Sequence, residues 1–330
     1  MATTLSTGHK THVHHLALDP SCCLLASCSS DKTVRLFHRN LSPGTTGVWE
    51  PSCTISDHSG PVIRLAWCQH REHGPLLATV SADRWICVYR IIISKLEGSS
   101  SARAVRWTLV RGFEKDVITD VAFIPPQQYH VLLLSTASLD GSVRLYEVNQ
   151  PAQFACICKM TPEVDFGAAK EEEGIRNTSD IGITSLSWFP GASETTMTLA
   201  VGGVSGRVSL YKYVKDSQVF SPITSFPTSV RCSSPVVQLT WAFPVGRMFQ
   251  LLAVCSKTEI YIIRMNCISP SAHTGEFEFE TFLFPRGASS ASWSHSSTLL
   301  YLVSDDGEKK VTVLQMKDPT DHQTWAPVSR

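Results

Sequence analysis

The sequence predicts an all-β fold, a six-bladed β-propeller. The first observation behind this is a 15-residue hairpin template, LLASCSSDKTVRLFH at 24–38, with short apolar runs on either side of a polar turn. The second is its recurrence at 76–90, 133–147 and 198–212, with looser copies at 251–264 and 299–315. The third is a six-residue strand ahead of every copy, ending on Leu18, Trp67, Phe123, Trp188, Trp241 or Trp293. Hairpin starts at 24, 76, 133, 198, 251 and 299 lie roughly 50–65 residues apart, a period that fits four-stranded blades with inserted loops.

Each element has its own justification. The leading strands VHHLAL (13–18), VIRLAW (62–67), ITDVAF (118–123), ITSLSW (183–188), VVQLTW (236–241) and ASSASW (288–293) are mostly apolar at positions one, four and six. Gaps to the hairpins carry Pro20, Gly74-Pro75, Pro125-Pro126, Pro190-Gly191 and Pro244, as turns require. Asp31, Asp83 and Asp140 share the eighth template position, where the fourth copy has Ser205. Fourth strands are foreshadowed by VRWTLV at 105–110, ACICKM at 155–160 and EFEFETFLF at 276–284. One domain is expected over 1–330, with flexible loops at 94–104 and 161–180 and a peripheral tail at 317–330. The second loop carries Glu171-Glu172-Glu173 and reads as a solvated insertion.

Composition narrows the function. The chain has 330 residues, 29 basic and 29 acidic, with zero formal net charge. That balance gives no electrostatic footprint for nucleic acid or an anionic membrane. No apolar run is long enough to span a bilayer, and MATTLSTGHK lacks the apolar core of a signal peptide. The 11 cysteines contain no CxxC pair and read as buried thiols in a reducing compartment, cytosolic or nuclear. His9, His12, His14 and His15 invite a metal, but no carboxylate or thiolate stands at ligand spacing beside them. No phosphate loop, HExxH or GxSxG motif occurs, and a catalytic carboxylate would not be copied once per blade. The expectation is no enzyme, no cofactor and no metal. The tryptophans at the shared strand position read as interblade core, whereas Trp49, Trp107 and Trp325 fall outside that register and are expected to make surface contacts.

A hairpin with Asp in its turn and an aromatic at its end (Phe37, Tyr89, Tyr146) resembles the WD-repeat family. A family histidine precedes the first strand, and His9 and His58 occupy that place. The resemblance implies that His9 with Asp31, and His58 with Asp83, form a buried clamp within a blade. Asp140 takes the same place in the third, where Glu114 replaces the histidine. The last three copies lack the full set and are expected to depend on packing. Finer matches, HSGPVIRLAW (58–67), TASLDGSVRLYEV (136–148), VGRMFQLLAV (245–254) and SWSHSSTLLYLVSDDG (292–307), resemble the Seh-type nucleoporins, small propellers of the Y-shaped outer-ring subcomplex of the nuclear pore. The match runs from His9 to about Met316; the family's last tryptophan is replaced by Leu314.

The Seh-type resemblance implies a scaffold subunit at the nuclear pore and nuclear envelope, supporting protein and mRNA transport. It implies a helical scaffold nucleoporin as partner, beside other outer-ring nucleoporins. It extends to subunits of a nutrient-signalling complex at the lysosomal surface and a cytosolic pool. A COPII-type vesicle coat subunit and a peptide- or substrate-recognition propeller stay open as alternatives. Only MATTLSTG precedes His9, and Pro319 and Pro327 in the tail suit a central strand poorly, so the ring is expected to be open. In the family, a partner chain inserts a seventh blade in trans. The expected interface lies at Thr7, Gly8, Lys10, Thr11, His12 and Val13, and at Ala288, Ser290, Val311 and Val313 of the sixth repeat.

Overall fold

A computed structural model describes residues 5–40, 47–96, 99–125, 132–150, 153–162, 181–191, 196–214, 216–244, 249–267, 277–304, 311–317 and 325–328. The chain divides into two compact units, Met1–Lys159 and Met160–Arg330. Each is built from three four-stranded antiparallel meanders, so the fold class is the six-bladed β-propeller the repeats predict.

In the first unit, blade one is β1 (Val13–Leu18), β2 (Leu24–Ser29), β3 (Val34–Arg39) and β4 (Trp49–Ile55). Blade two is β5 (Val62–His70), β6 (Gly74–Ser81), β7 (Trp85–Leu96) and β8 (Ser99–Arg111). Blade three is β9 (Ile118–Phe123), β10 (Leu133–Ser138), β11 (Val143–Gln150) and β12 (Gln153–Met160). In the second unit, blade four is β13 (Ile183–Trp188), β14 (Thr196–Gly203), β15 (Val208–Val214) and β16 (Val219–Pro222). Blade five is β17 (Val236–Trp241), β18 (Phe249–Ser256), β19 (Ile260–Cys267) and β20 (Phe277–Phe284). Blade six is β21 (Ser290–Trp293), β22 (Leu299–Val303), β23 (Val311–Met316) and β24 (Trp325–Pro327).

The second strands of blades one, two, three and five are buried on both faces, which is why those segments read as largely apolar runs instead of alternating ones. In blade five, one face packs on blade four and the other on blade six. Leu252 and Val254 of β18 join the core shared with blade four, while Leu251, Ala253 and Cys255 join that shared with blade six. The recurring tryptophans tie neighbours together: Trp67 Nε1 donates to the Ala17 carbonyl (2.9 Å), Trp241 to Ser187 (3.1 Å) and Trp293 to Thr240 (3.0 Å). An indole there fills the interblade gap and satisfies its own N–H.

The hairpin turns repeat too. In four of them the residue after the eighth template position donates its N–H to the last residue of the second strand: Lys32 to Ser29, Arg84 to Ser81, Gly141 to Ser138, Gly206 to Gly203. All four have positive φ, at 68°, 66°, 77° and 76°. This left-handed position suits Gly141 and Gly206, and Lys32 and Arg84 occupy it at a cost.

Three expectations need correction. Residues 94–96 and 99–104 are not a loop but the paired far ends of β7 and β8, with Ser94 opposite Ser101 and Leu96 opposite Ser99. The tail is not peripheral throughout, because Trp325–Pro327 is the outermost strand of blade six, an edge position where Pro327 needs no donor. Trp325 itself is buried, edge-on to Trp293 at 5.6 Å. Trp107 is likewise packed, 4.5 Å from the His73 ring, while Trp49 is half-buried on β4. The acidic stretch 163–180 lies outside the described residues.

Candidate functional site: the blade clamps and two uncovered sheet faces

The turn carboxylates are each held by the loop that leads into the same blade. His9 Nδ1 lies 2.9 Å from Asp31 and its Nε2 lies 2.8 Å from Ser27 Oγ, so the imidazole spans the turn and the second strand. Asp31 also accepts the Lys10 N–H (3.1 Å), the Thr33 N–H (3.0 Å) and the Thr33 hydroxyl (2.6 Å). His58 repeats the arrangement, 3.4 Å from Asp83 and 2.8 Å from Thr79 Oγ1. Asp83 accepts the N–H groups of Ser59 (2.8 Å), Gly60 (3.2 Å) and Trp85 (2.9 Å).

Burial alone would raise these carboxyls, but the donors outweigh it and hold both below the ordinary carboxylate value, Asp31 the further. His58 is lowered as well: desolvation favours the neutral ring more than Asp83 favours the charged one. A neutral imidazole with one N–H still bridges carboxylate and hydroxyl.

Asp140 has no histidine. It accepts the Lys115 N–H (2.8 Å) and pairs with Arg144 at 3.0 Å. Against burial, donors including Ser142, Lys115 and Arg144 lower it to about 2. Glu114, in the histidine's place, still reaches the second strand, accepting from Thr136 Oγ1 (2.5 Å) and the Tyr146 hydroxyl (2.8 Å).

Blade five holds an arrangement that the template did not reveal. Glu259 accepts the Ser233 N–H and its hydroxyl (2.9 Å), doing for that loop what Asp83 does for Ser59. It stands one place after the eighth position, so alignment by turn residue alone misses it. An acidic residue immediately before the third strand was the available signal.

The expected interface residues are placed differently from one another. Lys10, Thr11, His12 and Val13 are engaged inside blade one: Thr11 Oγ1 meets Ser29 Oγ (3.1 Å), the His12 carbonyl accepts from Ser30, and Val13 pairs with Ser29. Thr7 is half-buried, and Gly8 (φ 66°) is exposed beside the Arg35 guanidinium. Ala288 is buried and donates to the Ser256 carbonyl, and Ser290 pairs with Val303. Val311 is 55% exposed and Val313 half-buried.

Two apolar faces emerge from the pattern of exposure. In β17 the positions of Val236, Leu239 and Trp241 are buried in the core shared with blade four. Their counterparts in β1 are Val13, half-buried, and Leu16 and Leu18, 53% and 52% exposed. In blade six, Leu300, Leu302, Leu314 and Met316 pack towards blade five. On the opposite face, Tyr301 (39%) and Val303 (41%) stand across from Val313 and Val311. Each unit thus exposes one sheet face whose residues have the chemistry of an interblade core. Leu16, Tyr301 and Val303 were not singled out by the sequence, and Leu18 was read only as the counterpart of the interblade tryptophans, because their template positions look like any other blade's. Among the described residues no cluster of histidine, cysteine and acidic side chains could hold a metal.

Comparison with known proteins follows this geometry. The WD domain, G-beta repeat model matches residues 2–38, 49–90 and 105–147, the first three blades. Nucleoporin SEH1 of Osmerus mordax is 28% identical over 325 residues, covering 93% of this chain and 82% of that protein. Nucleoporin SEH1 of Homo sapiens is 27% identical with 93% and 83% covered, and that of Drosophila melanogaster 28% with 91% and 80%. A chain in the crystal structure of a mitotic checkpoint complex superposes with a TM-score of 0.61 at 12% identity, over 94% of this chain and 76% of that one, a likeness of fold alone. The six four-stranded blades make the chain a β-propeller, similar in its first three repeats to the WD domain and over nine-tenths of its length to SEH1 nucleoporins.

Proposed function

We propose that this chain is a non-catalytic scaffold subunit of the nuclear pore's Y-shaped outer ring, held by a helical nucleoporin that supplies a seventh blade. The observation that carries the reading is the pair of uncovered faces, Leu16 and Leu18 in blade one and Tyr301, Val303 and Val311 in blade six. Inserted strands would cover these side chains as blade five covers its neighbours, at roughly 25 cal/mol per Å² of apolar surface removed from water. The similarity to SEH1 nucleoporins over nine-tenths of the chain supports the assembly named. Every blade also draws all four of its strands from contiguous sequence.

Affinity capture from the native cell tests the reading. The parent chain should return nucleoporins in stoichiometric amount, and the Leu16→Asp/Leu18→Asp and Val311→Asp variants should lose them while melting like the parent. Recovery of coat proteins instead, or equal capture of nucleoporins by these variants, overturns it. Nutrient-signalling subunits in the same eluate extend the role to the lysosomal surface.

A further inference from the structure

Blade two differs from the other five at its outer edge. The outermost strands of the six blades span 7, 13, 8, 4, 8 and 3 residues, and the long one is β8. The second strand β6 pairs with β7 only from Ile86 to Arg90. Beyond Arg90, Ile91–Leu96 pairs, among the described residues, with Ser99–Ala104 alone. This far end is a two-stranded ribbon, a form that is marginal in water by itself and leaves backbone donors and acceptors along its edges.

The ribbon's side chains are unlike those of a guarded edge. Ile91 and Ala102 are buried toward blade one, which anchors it. Ile92 and Ile93 are each 43% exposed and Val105 is 39% exposed. Arg90, Arg103, Arg106 and Arg111 are exposed on the same hairpin, and Arg106 is met by Asp57 at 2.7 Å. From 85 to 111 the sequence carries five basic residues and a single acidic one, Glu97. Charge alone would serve to keep an edge from aggregating, but a guarded edge has no use for exposed isoleucines beside it.

We propose that this ribbon is a second docking site, accepting an acidic extended segment of another protein as an added β-strand. Backbone hydrogen bonds give such an addition its affinity. Ile92 and Val105 offer apolar footing, and the arginines select acidic side chains on alternate positions. Nucleic acid fits less well, because the chain as a whole carries no net charge and a strand edge offers phosphates no matching register.

The test uses the full chain and a fluorescein-labelled peptide alternating valine and glutamate. Saturable binding by anisotropy is expected, with slowed amide exchange confined to 91–104. Arg103→Glu should weaken it about tenfold, since a like charge then faces the peptide's glutamates. The Leu16→Asp/Leu18→Asp variant should bind the peptide like the parent, so the outcome is independent of the seventh-blade reading. Absence of saturable binding, protection elsewhere, or equal binding of the peptide with lysine for glutamate overturns the proposal. So does protection of the ribbon by oligothymidylate or by phosphatidylserine vesicles but not by the peptide, which would make it a nucleic-acid or membrane contact.

Discussion

Replacing Asp83 by alanine isolates what a turn carboxylate contributes. The side chain is 8% exposed and accepts from the N–H groups of Ser59, Gly60 and Trp85, the Ser59 hydroxyl and the ring of His58. Ser59 is exposed, so water replaces the carboxylate there. Gly60 and Trp85 are partly buried and the His58 side chain is 1% exposed, so their three donors are left poorly satisfied. At about 1 kcal/mol for each, Asp83→Ala should cost roughly 2–4 kcal/mol. Asp83→Asn keeps one acceptor oxygen and should cost less. Lys257→Ala, at an exposed turn site of blade five, should fall within about 0.5 kcal/mol of the parent. Urea titration followed by tryptophan fluorescence gives the comparison, read as a shift in midpoint at constant slope. Equal midpoints for Asp83→Ala and the parent would refute the clamp.

Other expectations follow from the same geometry. Lys32→Gly should stabilise the chain by about 0.5–1 kcal/mol, because its left-handed φ of 68° suits glycine and the lysine side chain is exposed; a lower urea midpoint contradicts this. Trp325→Ala should destabilise by about 3 kcal/mol, as a buried indole leaves the blade-six core; an unchanged thermal midpoint would show that β24 is not docked. Burial, with Arg64 nearby, lowers His15 to about 3, so its contribution to stability is complete above pH 6.5 and is lost as pH falls toward 3. The loss is at most about 1.4 kcal/mol per pH unit, and His15→Leu should flatten the fall between those values; an identical slope in both proteins would refute it.

The sequence made the repeat legible because each blade obeys one template, and the first strands, hairpins and turn carboxylates appear where that template puts them. What it hid came from deviations. β4, β16 and β24 are short or irregular and carry no common pattern, so their pairing depends on the neighbouring strand. The residues at 94–104 are small and polar and read as a loop, yet they pair because Ile91 and Ala102 find a core to enter. Glu259 was missed by one residue of register. Leu16 and Leu18 look like core, and only their exposure in the structure shows that no strand among the described residues covers them.

Contiguous blades also set the order in which the molecule can be made. At about 5–20 residues per second, synthesis delivers a blade of roughly fifty residues every few seconds, whereas a hairpin closes in microseconds. Blades one to five can each pair fully while the next is still being translated. In blade six, β24 follows β23 only after the eight intervening residues 317–324. Until β24 has been translated, Trp293 lacks the indole that packs edge-on against it.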